Sequence, residues 1–154
     1  YAFHSKVRMN DQLFFAEIVP NIYWVYHYTS TFFQPTHKDF ITKVCQNHGI
    51  KELIKIDSNC TFWKRYDMSN KAEEFLLLDQ LLDNITHKIQ FNYNNRIPTL
   101  IVSISNNDIA LAGIVHFFRR VTKLGRDIIL DALRFKIANI PDVGAKVGEY
   151  LERH

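Results

Sequence analysis

One stretch of the chain has the layout of an anion-binding site, with a short buried strand, a polar turn and then a helix. Residues 100–104 are an apolar run rich in β-branched side chains, which predicts a buried strand. Residues 105–108 are polar and predict a turn, and an amphipathic helix is predicted from Ile109 onwards. The start of such a helix presents unpaired backbone N–H groups and the positive end of the helix dipole, which suit phosphate. This stretch is therefore the candidate functional site.

The side chains of this stretch do not supply the chemistry that its layout suggests. Between Ser103 and Ala112 the sequence contains no Cys, Arg, Lys, His or Gly. Ser103 and Ser105 carry hydroxyl groups, but neither has an obvious base beside it in the sequence. A serine alkoxide also forms far less readily than a cysteine thiolate. The sequence thus predicts a fold more firmly than it predicts an activity.

Length and composition indicate one globular domain that spans residues 1–154. A hydrophobic content of 47% and a charged content of 23% are ordinary for a soluble protein with one core. The net charge of +3 tolerates an acidic partner but does not by itself imply nucleic acid. Because the chain begins at Tyr1 rather than Met, we expect it to be a piece of a longer protein or a processed form.

Cysteine content and hydropathy predict an intracellular protein, located in the cytoplasm or the nucleus. Cys45 and Cys60 are too few for a disulfide framework, so we expect two reduced cysteines. The sequence shows no signal peptide and no apolar run near eighteen residues, so no membrane span is predicted. None of the seven histidines pairs with another His or Cys at zinc-ligand spacing, and nucleotide-binding glycine motifs are missing. We therefore expect neither a metal nor a cofactor.

The predicted elements run in the order strands, helix, strand, helix, strand and then three helices. Helices between strands predict an α/β fold, with a central, mostly parallel sheet flanked by helices and with right-handed crossovers. The strand at 100–104 is the most apolar and is therefore predicted to be central. The predicted segments are a strand–turn–strand unit at 14–25, a helix at 37–47, a strand at 50–56, a helix from Asn70 through Ile89, a polar hinge at 91–96, the strand at 100–104, a helix from Ile109 that ends at Gly125, a helix at 127–138 and a last helix from Pro141 to Leu151.

Two further predictions concern the last part of the chain. The helix at 127–138 is predicted to bury one apolar face, made up of Ile128, Ile129, Ala132, Leu133 and either Phe135 or Ile137. The densest basic cluster precedes it and consists of Arg119, Arg120, Lys123 and Arg126. These cations either complement the negative end of a helix dipole or form a docking patch for an acidic partner or nucleic acid.

Several separate segments, in order, resemble the dual-specificity protein phosphatase domain of the cysteine-based phosphatases. Ile-Val-Pro-Asn-Ile-Tyr-Trp at 18–24 is similar to the opening strand pair of that family. Val-Cys-Gln-Asn-His-Gly-Ile at 44–50, followed by Lys-Glu-Leu-Ile-Lys-Ile, is similar to the helix and strand that come next. Ile-Pro-Asp-Val-Gly at 140–144 is similar to the start of the closing helix. The resemblance covers residues 18–150 and implies a phosphatase-like α/β fold.

The resemblance also implies where the active-site loop lies. In that family the loop reads His-Cys, two residues, Gly, two residues, Arg, with the Cys as nucleophile and the Arg as phosphate ligand. On this sequence Ile104 falls at the nucleophile, Asn107 at the glycine and Ala110 at the arginine. Asp67 falls where the general acid is expected, although a solvated or capping aspartate is an equally good interpretation. The degenerate loop comprises Ser103, Ile104, Ser105, Asn106, Asn107, Asp108 and Ala110.

These departures predict a catalytically inactive member of the fold, a pseudophosphatase. Ile104 cannot attack phosphorus, and Ala110 cannot stabilise the transferring phosphoryl group. The predicted role is a protein-interaction or scaffolding module with a protein partner. Three alternatives stay open: a phospho-ligand-binding domain that uses the turn amides, a nucleic-acid-binding domain that uses the basic cluster, and a divergent active phosphatase.

Overall fold

A computed structural model describes residues 8–9, 13–27, 35–56, 64–65, 78–103 and 107–137 of the chain. Within these ranges a six-stranded sheet has one helix on one face and three helices on the other. The strands are β1 (Arg8–Met9), β2 (Leu13–Val19), β3 (Ile22–His27), β4 (Glu52–Lys55), β5 (Lys64–Arg65) and β6 (Thr99–Ser103). The helices are α1 (Pro35–His48), α2 (Leu78–Asn94), α3 (Asn107–Thr122) and α4 (Arg126–Lys136).

The sheet confirms the predicted α/β class and the central position of the most apolar strand. The strand order is β1-β2-β3-β6-β4-β5, so β6 lies between β3 and β4. Both pairings of β6 are parallel, whereas the outer pairs β1–β2, β2–β3 and β4–β5 are antiparallel. All five residues of β6 are buried, as a strand covered on both faces requires. The parallel pairing that the sequence predicted is thus found in the three central strands.

Alternating side chains of the central strands build two cores on opposite faces of the sheet. Leu100 and Val102 pack with α1, in a cluster that includes Phe40 and Val44. Ile101 faces the other side, where it packs with the buried faces of α2, α3 and α4. Because successive side chains of β6 point to opposite faces of the sheet, they contact two different layers of helices. The helix α3, which follows the candidate loop, belongs to the layer of three helices.

The prediction of a polar hinge at 91–96 is wrong at residues 91–94, because α2 continues to Asn94. The local run of asparagines suggested a break, but Asn92 is fully buried and bonded to the strands. Its Nδ2 donates to Glu52 Oε1 at 3.1 Å and to Thr99 Oγ1 at 2.9 Å. Lys88 Nζ also lies 2.9 Å from Glu52 Oε1. This network joins the end of α2 to the starts of β4 and β6, which is why the helix does not stop earlier.

Gly125 does not end α3, contrary to the prediction. The helix ends at Thr122, and Lys123 takes the left-handed conformation with φ of 64° while its N–H donates to Arg119 O at 3.0 Å. Gly125 has an extended backbone with φ of −75° and is the N-cap of α4. The residue with positive φ after α3 is therefore Lys123, two residues before the glycine that was predicted to end the helix.

The predicted buried face of α4 is partly wrong. Ile129, Leu130, Leu133 and Ile137 are buried, whereas Ile128, Ala132 and Phe135 are exposed. The helix is rotated so that Leu130 replaces Ile128 and Phe135 in the core. The sequence is apolar on two sides of this helix, so hydrophobic periodicity alone did not decide which side packs inward.

Two predicted helices lie outside the described residues in whole or in part. The helix predicted from Asn70 is described only from Leu78, and the one predicted from Pro141 to Leu151 is not described. Within the described ranges, no helix has the length and apolar character needed to cross a membrane.

Candidate functional site

The candidate loop lies at the carboxyl end of the central parallel strands. The strand β6 ends at Ser103 and the helix α3 begins at Asn107, which confirms the predicted strand and the helix after it. The helix begins two residues before the predicted Ile109, so Asn107 and Asp108 are helical rather than part of the predicted turn. The two neighbours of β6 run parallel to it, so the loop emerges where α/β sheets commonly bind ligands. Ile104, Ser105 and Asn106 lie outside the described residues, and Asn107 and Asp108 form the start of α3.

Ser103, the first residue of the candidate loop, is fully buried and takes part in core hydrogen bonding. The indole Nε1 of Trp24 donates a hydrogen bond to Ser103 Oγ at 2.7 Å. Trp24 is itself fully buried and stacks on Tyr26 with ring centroids 4.1 Å apart. The hydroxyl therefore accepts from an indole N–H that would otherwise be buried without a partner, which is a structural role. In this position the hydroxyl is not exposed to solvent.

Tyr26 is a second fully buried aromatic side chain at this end of the sheet. It pairs with Ser103 across the parallel ladder and also stacks on Phe14 at 5.6 Å between centroids. Burial raises the pKa of Tyr26 well above its usual value, so the phenol stays protonated at neutral pH. The carboxyl ends of β3 and β6 are therefore packed among uncharged aromatic side chains.

Ala110, which falls at the arginine position of the family loop, is buried in the larger core. Its relative exposure is 0%, and it belongs to the same hydrophobic cluster as Trp24 and Ile101. The rotation of α3 about its own axis points the side chain at position 110 into the protein. The site of the expected phosphate ligand is thus occupied by a methyl group in the hydrophobic core.

The cysteine that the structure describes, Cys45, is unsuited to nucleophilic chemistry. It lies on α1 and packs in the cluster on the opposite face of the sheet from Ala110. Burial raises the pKa of its thiol to about 12, so almost no thiolate exists at neutral pH. Cys60 and the predicted general-acid residue Asp67 both lie outside the described residues.

The basic cluster lies at the corner between α3 and α4. Arg119 and Arg120 are in the last turn of α3, Lys123 is in the connection, and Arg126 begins α4 and contacts Asp127 at 3.5 Å. Arg120 and Lys123 are exposed, whereas Arg119 and Arg126 are half-buried. The placement in the last turn of α3 fits the dipole role, and the exposure of Arg120 and Lys123 also fits a docking role.

Sequence reasoning missed two features of these regions. Val121 and Leu124, beside the basic cluster, are exposed apolar side chains. The bond between Trp24 and Ser103 joins residues 79 positions apart, and no local spacing indicates it. Within the described ranges, no group of three or more His, Cys, Asp or Glu side chains is placed to hold a metal ion.

Comparison with known proteins supports the fold but not a specific activity. No protein-family model matches the chain, and no curated protein sequence matches it significantly. Among solved structures, the crystal structure of human DUSP28, a dual-specificity phosphatase, matches with a TM-score of 0.60. The match covers 97% of this chain and 95% of that one at 9% sequence identity. The chain therefore has the fold of a dual-specificity phosphatase.

Proposed function

We propose that this chain is a non-catalytic phosphatase-like domain, a pseudophosphatase, that acts as a protein-interaction or scaffolding module. The observation that carries the proposal is the burial of the two described positions, 103 and 110, on either side of the candidate loop. Ser103 is buried with its hydroxyl accepting from Trp24, and Ala110 is buried in the core. These positions flank the loop in which the fold would hold a phosphoryl group.

The chemistry of phosphoryl transfer through a covalent intermediate requires a nucleophile and a cationic ligand for the transferring group. Ile104 has no nucleophilic atom, and the Ser103 hydroxyl is committed to the core. Cys45 packs on the other face of the sheet and stays a thiol. At position 110 a methyl group takes the place of a guanidinium group. The proposal of an inactive domain rests on these four positions together.

The interaction role is supported by an uneven distribution of charge. Residues 119–136 contain six basic and two acidic side chains, a net charge of +4, whereas the whole chain has a net charge of +3. The excess positive charge is therefore carried by the α3–α4 corner and α4. Exposed Val121 and Leu124 lie within this basic region and add apolar area. A basic surface with an apolar component suits an acidic protein partner.

Substituting Ser103 tests whether its hydroxyl group has a structural or a catalytic role. We expect no turnover of a generic aryl phosphate above background by the wild-type chain or by Ser103→Ala. We also expect Ser103→Ala to lower the free energy of unfolding by about 1–3 kcal/mol, because the Trp24 N–H loses its acceptor. Phosphatase assays and urea unfolding curves on the same preparations measure both. Wild-type turnover that Ser103→Ala abolishes without loss of stability would establish the divergent active phosphatase instead.

Charge reversal at the basic corner tests the interaction role. We expect the double variant Arg120→Glu, Lys123→Glu to bind a captured protein partner at least about tenfold more weakly than the wild-type chain does. The reason is that close charge pairs across an interface contribute this much to affinity. The matched control is Lys38→Glu with Lys43→Glu, which makes the same charge change on exposed positions of α1 across the sheet. Affinity measured by calorimetry with the purified partner should be unchanged in the control. Equal loss in both variants would show a general charge effect and contradict a specific patch.

Other variants distinguish the two binding alternatives. Affinity for phosphopeptides or phosphoinositides that is lost on changing Asn106 or Asn107 would favour the phospho-ligand domain. Salt-sensitive binding of RNA or DNA that is weakened by changing Arg119 and Arg120 would favour the nucleic-acid domain.

A further inference from the structure

The last turn of α3 places an exposed threonine hydroxyl directly after two arginines. Residues 119–122 read Arg-Arg-Val-Thr, so cations stand two and three positions before Thr122. No other Ser or Thr in the sequence has Lys or Arg at both of these positions. Thr99 follows Arg96 by three positions, but its side chain is fully buried, whereas Thr122 is exposed. Thr122 therefore combines a hydroxyl oxygen, two preceding cations and access from solvent.

The Thr122 hydroxyl makes two hydrogen bonds at the point where α3 ends. Its Oγ1 donates to Phe118 O at 2.6 Å and accepts from the Leu124 N–H at 3.2 Å. The first bond occupies a carbonyl at the helix end, and the second holds the chain as it leaves the helix. Both bonds are exposed, so water can replace them at low cost. A chemical change at this oxygen would therefore act directly on the connection between α3 and α4.

The segment around Thr122 can open locally without exposing the core. Residues 120–125 are all exposed, and the nearest buried residue before them is Phe117. Lys123, with φ of 64°, has already left the helical conformation. Segments with few buried contacts and exposed hydrogen bonds open at a low free energy. An enzyme that needs its substrate in an extended form can therefore reach this segment while the rest of the domain stays folded.

The residue types before Thr122 indicate the chemistry of such an enzyme. Guanidinium groups bind carboxylates through paired hydrogen bonds, so adjacent Arg119 and Arg120 suit a substrate groove lined with acidic side chains. Protein kinases select their substrates by charge patterns of this kind. A threonine hydroxyl is also a competent acceptor of a phosphoryl group once a base takes its proton.

We propose that Thr122 is a phosphorylation site for a protein kinase that recognises arginines two and three positions before the acceptor. The bond between the γ-phosphorus of ATP and the oxygen bridging to the β-phosphorus breaks, and a bond from that phosphorus to Thr122 Oγ1 forms. The hydroxyl proton passes to the aspartate base of the kinase, and ADP leaves. The site itself does not depend on whether this domain is catalytically inactive.

Phosphorylation would change the charge of the basic cluster. Residues 119–126 contain four basic and no acidic side chains, a net charge of +4. A phosphate group adds about −1.5 to −2 at neutral pH, which lowers this charge to about +2. The esterified oxygen has no hydrogen, so the bond to Phe118 O is lost at a helix end where negative charge is unfavourable. We therefore expect phosphorylation to weaken binding of an acidic partner, a consequence that rests on the proposed function.

Transfer of labelled phosphate from ATP to the full chain tests the site. The probe is the catalytic subunit of cyclic-AMP-dependent protein kinase, which prefers this arrangement of arginines. We expect the wild-type chain and Thr122→Ser to be phosphorylated and Thr122→Ala not to be. Arg119→Gln with Arg120→Gln should lower kcat/KM at least about tenfold, whereas Lys38→Gln with Lys43→Gln, the same charge change on exposed positions of α1, should not lower it. No transfer to the wild-type chain, or equal transfer to Thr122→Ala, would overturn the proposal.

Affinity for poly-glutamate, measured by calorimetry, separates this inference from the proposed function. We expect the phosphorylated chain to bind at least about tenfold more weakly than the unmodified chain, and kinase-treated Thr122→Ala to keep its affinity. If Arg120→Glu with Lys123→Glu left the affinity of the unmodified chain unchanged, the proposed function would be contradicted and the phosphorylation site would stand on its own assay. If those changes weakened binding but phosphorylation did not, the regulatory consequence would be overturned instead.

Discussion

Replacing Ala110 with arginine is expected to lower the free energy of unfolding by about 3–5 kcal/mol rather than to restore a phosphate site. Ala110 is fully buried among apolar side chains, in the cluster that contains Trp24 and Ile101. An arginine there must either displace well-packed neighbours or leave a charge without a partner in the core, and both are costly. Urea unfolding followed by tryptophan fluorescence measures the loss.

The control for this substitution is Ala132→Arg on α4. Ala132 is also a helical alanine, but it is exposed, so the same change should alter the free energy of unfolding by less than about 0.5 kcal/mol. If Ala110→Arg were as stable as Ala132→Arg and acquired affinity for inorganic phosphate, position 110 would face the loop. That result would contradict the burial of Ala110 on which the proposed function rests.

Adding a single methyl group at Gly113 is expected to destabilise the fold by about 1–3 kcal/mol, although alanine is the better helix former. Gly113 lies in α3, where a Cβ atom would come 2.6 Å from Ile85 Cγ2 and 3.4 Å from Ile85 Cβ on α2. Both atoms belong to the branched base of a fully buried side chain, which cannot swing aside freely. The nearby Thr86 Oγ1 donates to Gly113 O at 3.5 Å, so the two helices are also joined at this point.

A double-mutant cycle isolates this contact. Ile85→Ala alone should cost about 2–5 kcal/mol, because it leaves a cavity between α2 and α3. In that background Gly113→Ala no longer meets Ile85, so the second change should be neutral or should stabilise by up to about 1 kcal/mol. The sign of the Gly113→Ala effect should therefore reverse between the two backgrounds. Additive effects in chemical unfolding would show that Ile85 is not what excludes a side chain at position 113.

Local patterns in the sequence carried enough information to predict the central strand and the helix that follows it. The run at 100–104 has no polar residue until the strand ends, which fits a strand with neighbours on both edges and helices on both faces. The prediction that the loop is inactive also rests on residue types alone, because Ile104 and Ala110 lack a nucleophilic atom and a cation, and it stays a prediction. These predictions depended on short segments whose behaviour is set by their own composition.

Features that depend on contacts between distant segments were not predictable in the same way. The burial of Asn92 follows from its bonds to Glu52 and Thr99, and the neighbouring asparagines favoured a turn instead. The orientation of α4 was also misassigned at Ile128 and Phe135, because a helix that is apolar on two sides satisfies more than one packing arrangement. In both cases the tertiary contact overrides the local signal.

The burial of Ser103 and Ala110 constrains how this domain can change during evolution. Cysteine-based chemistry at this loop would need a nucleophile at position 104 and a cation at position 110, and the cation would have to enter a packed core. A chain that acquired the cation first would lose stability before it gained the nucleophile. Positions 103 and 110 are therefore constrained by the core, whereas the exposed faces of α3 and α4 can change without loss of packing.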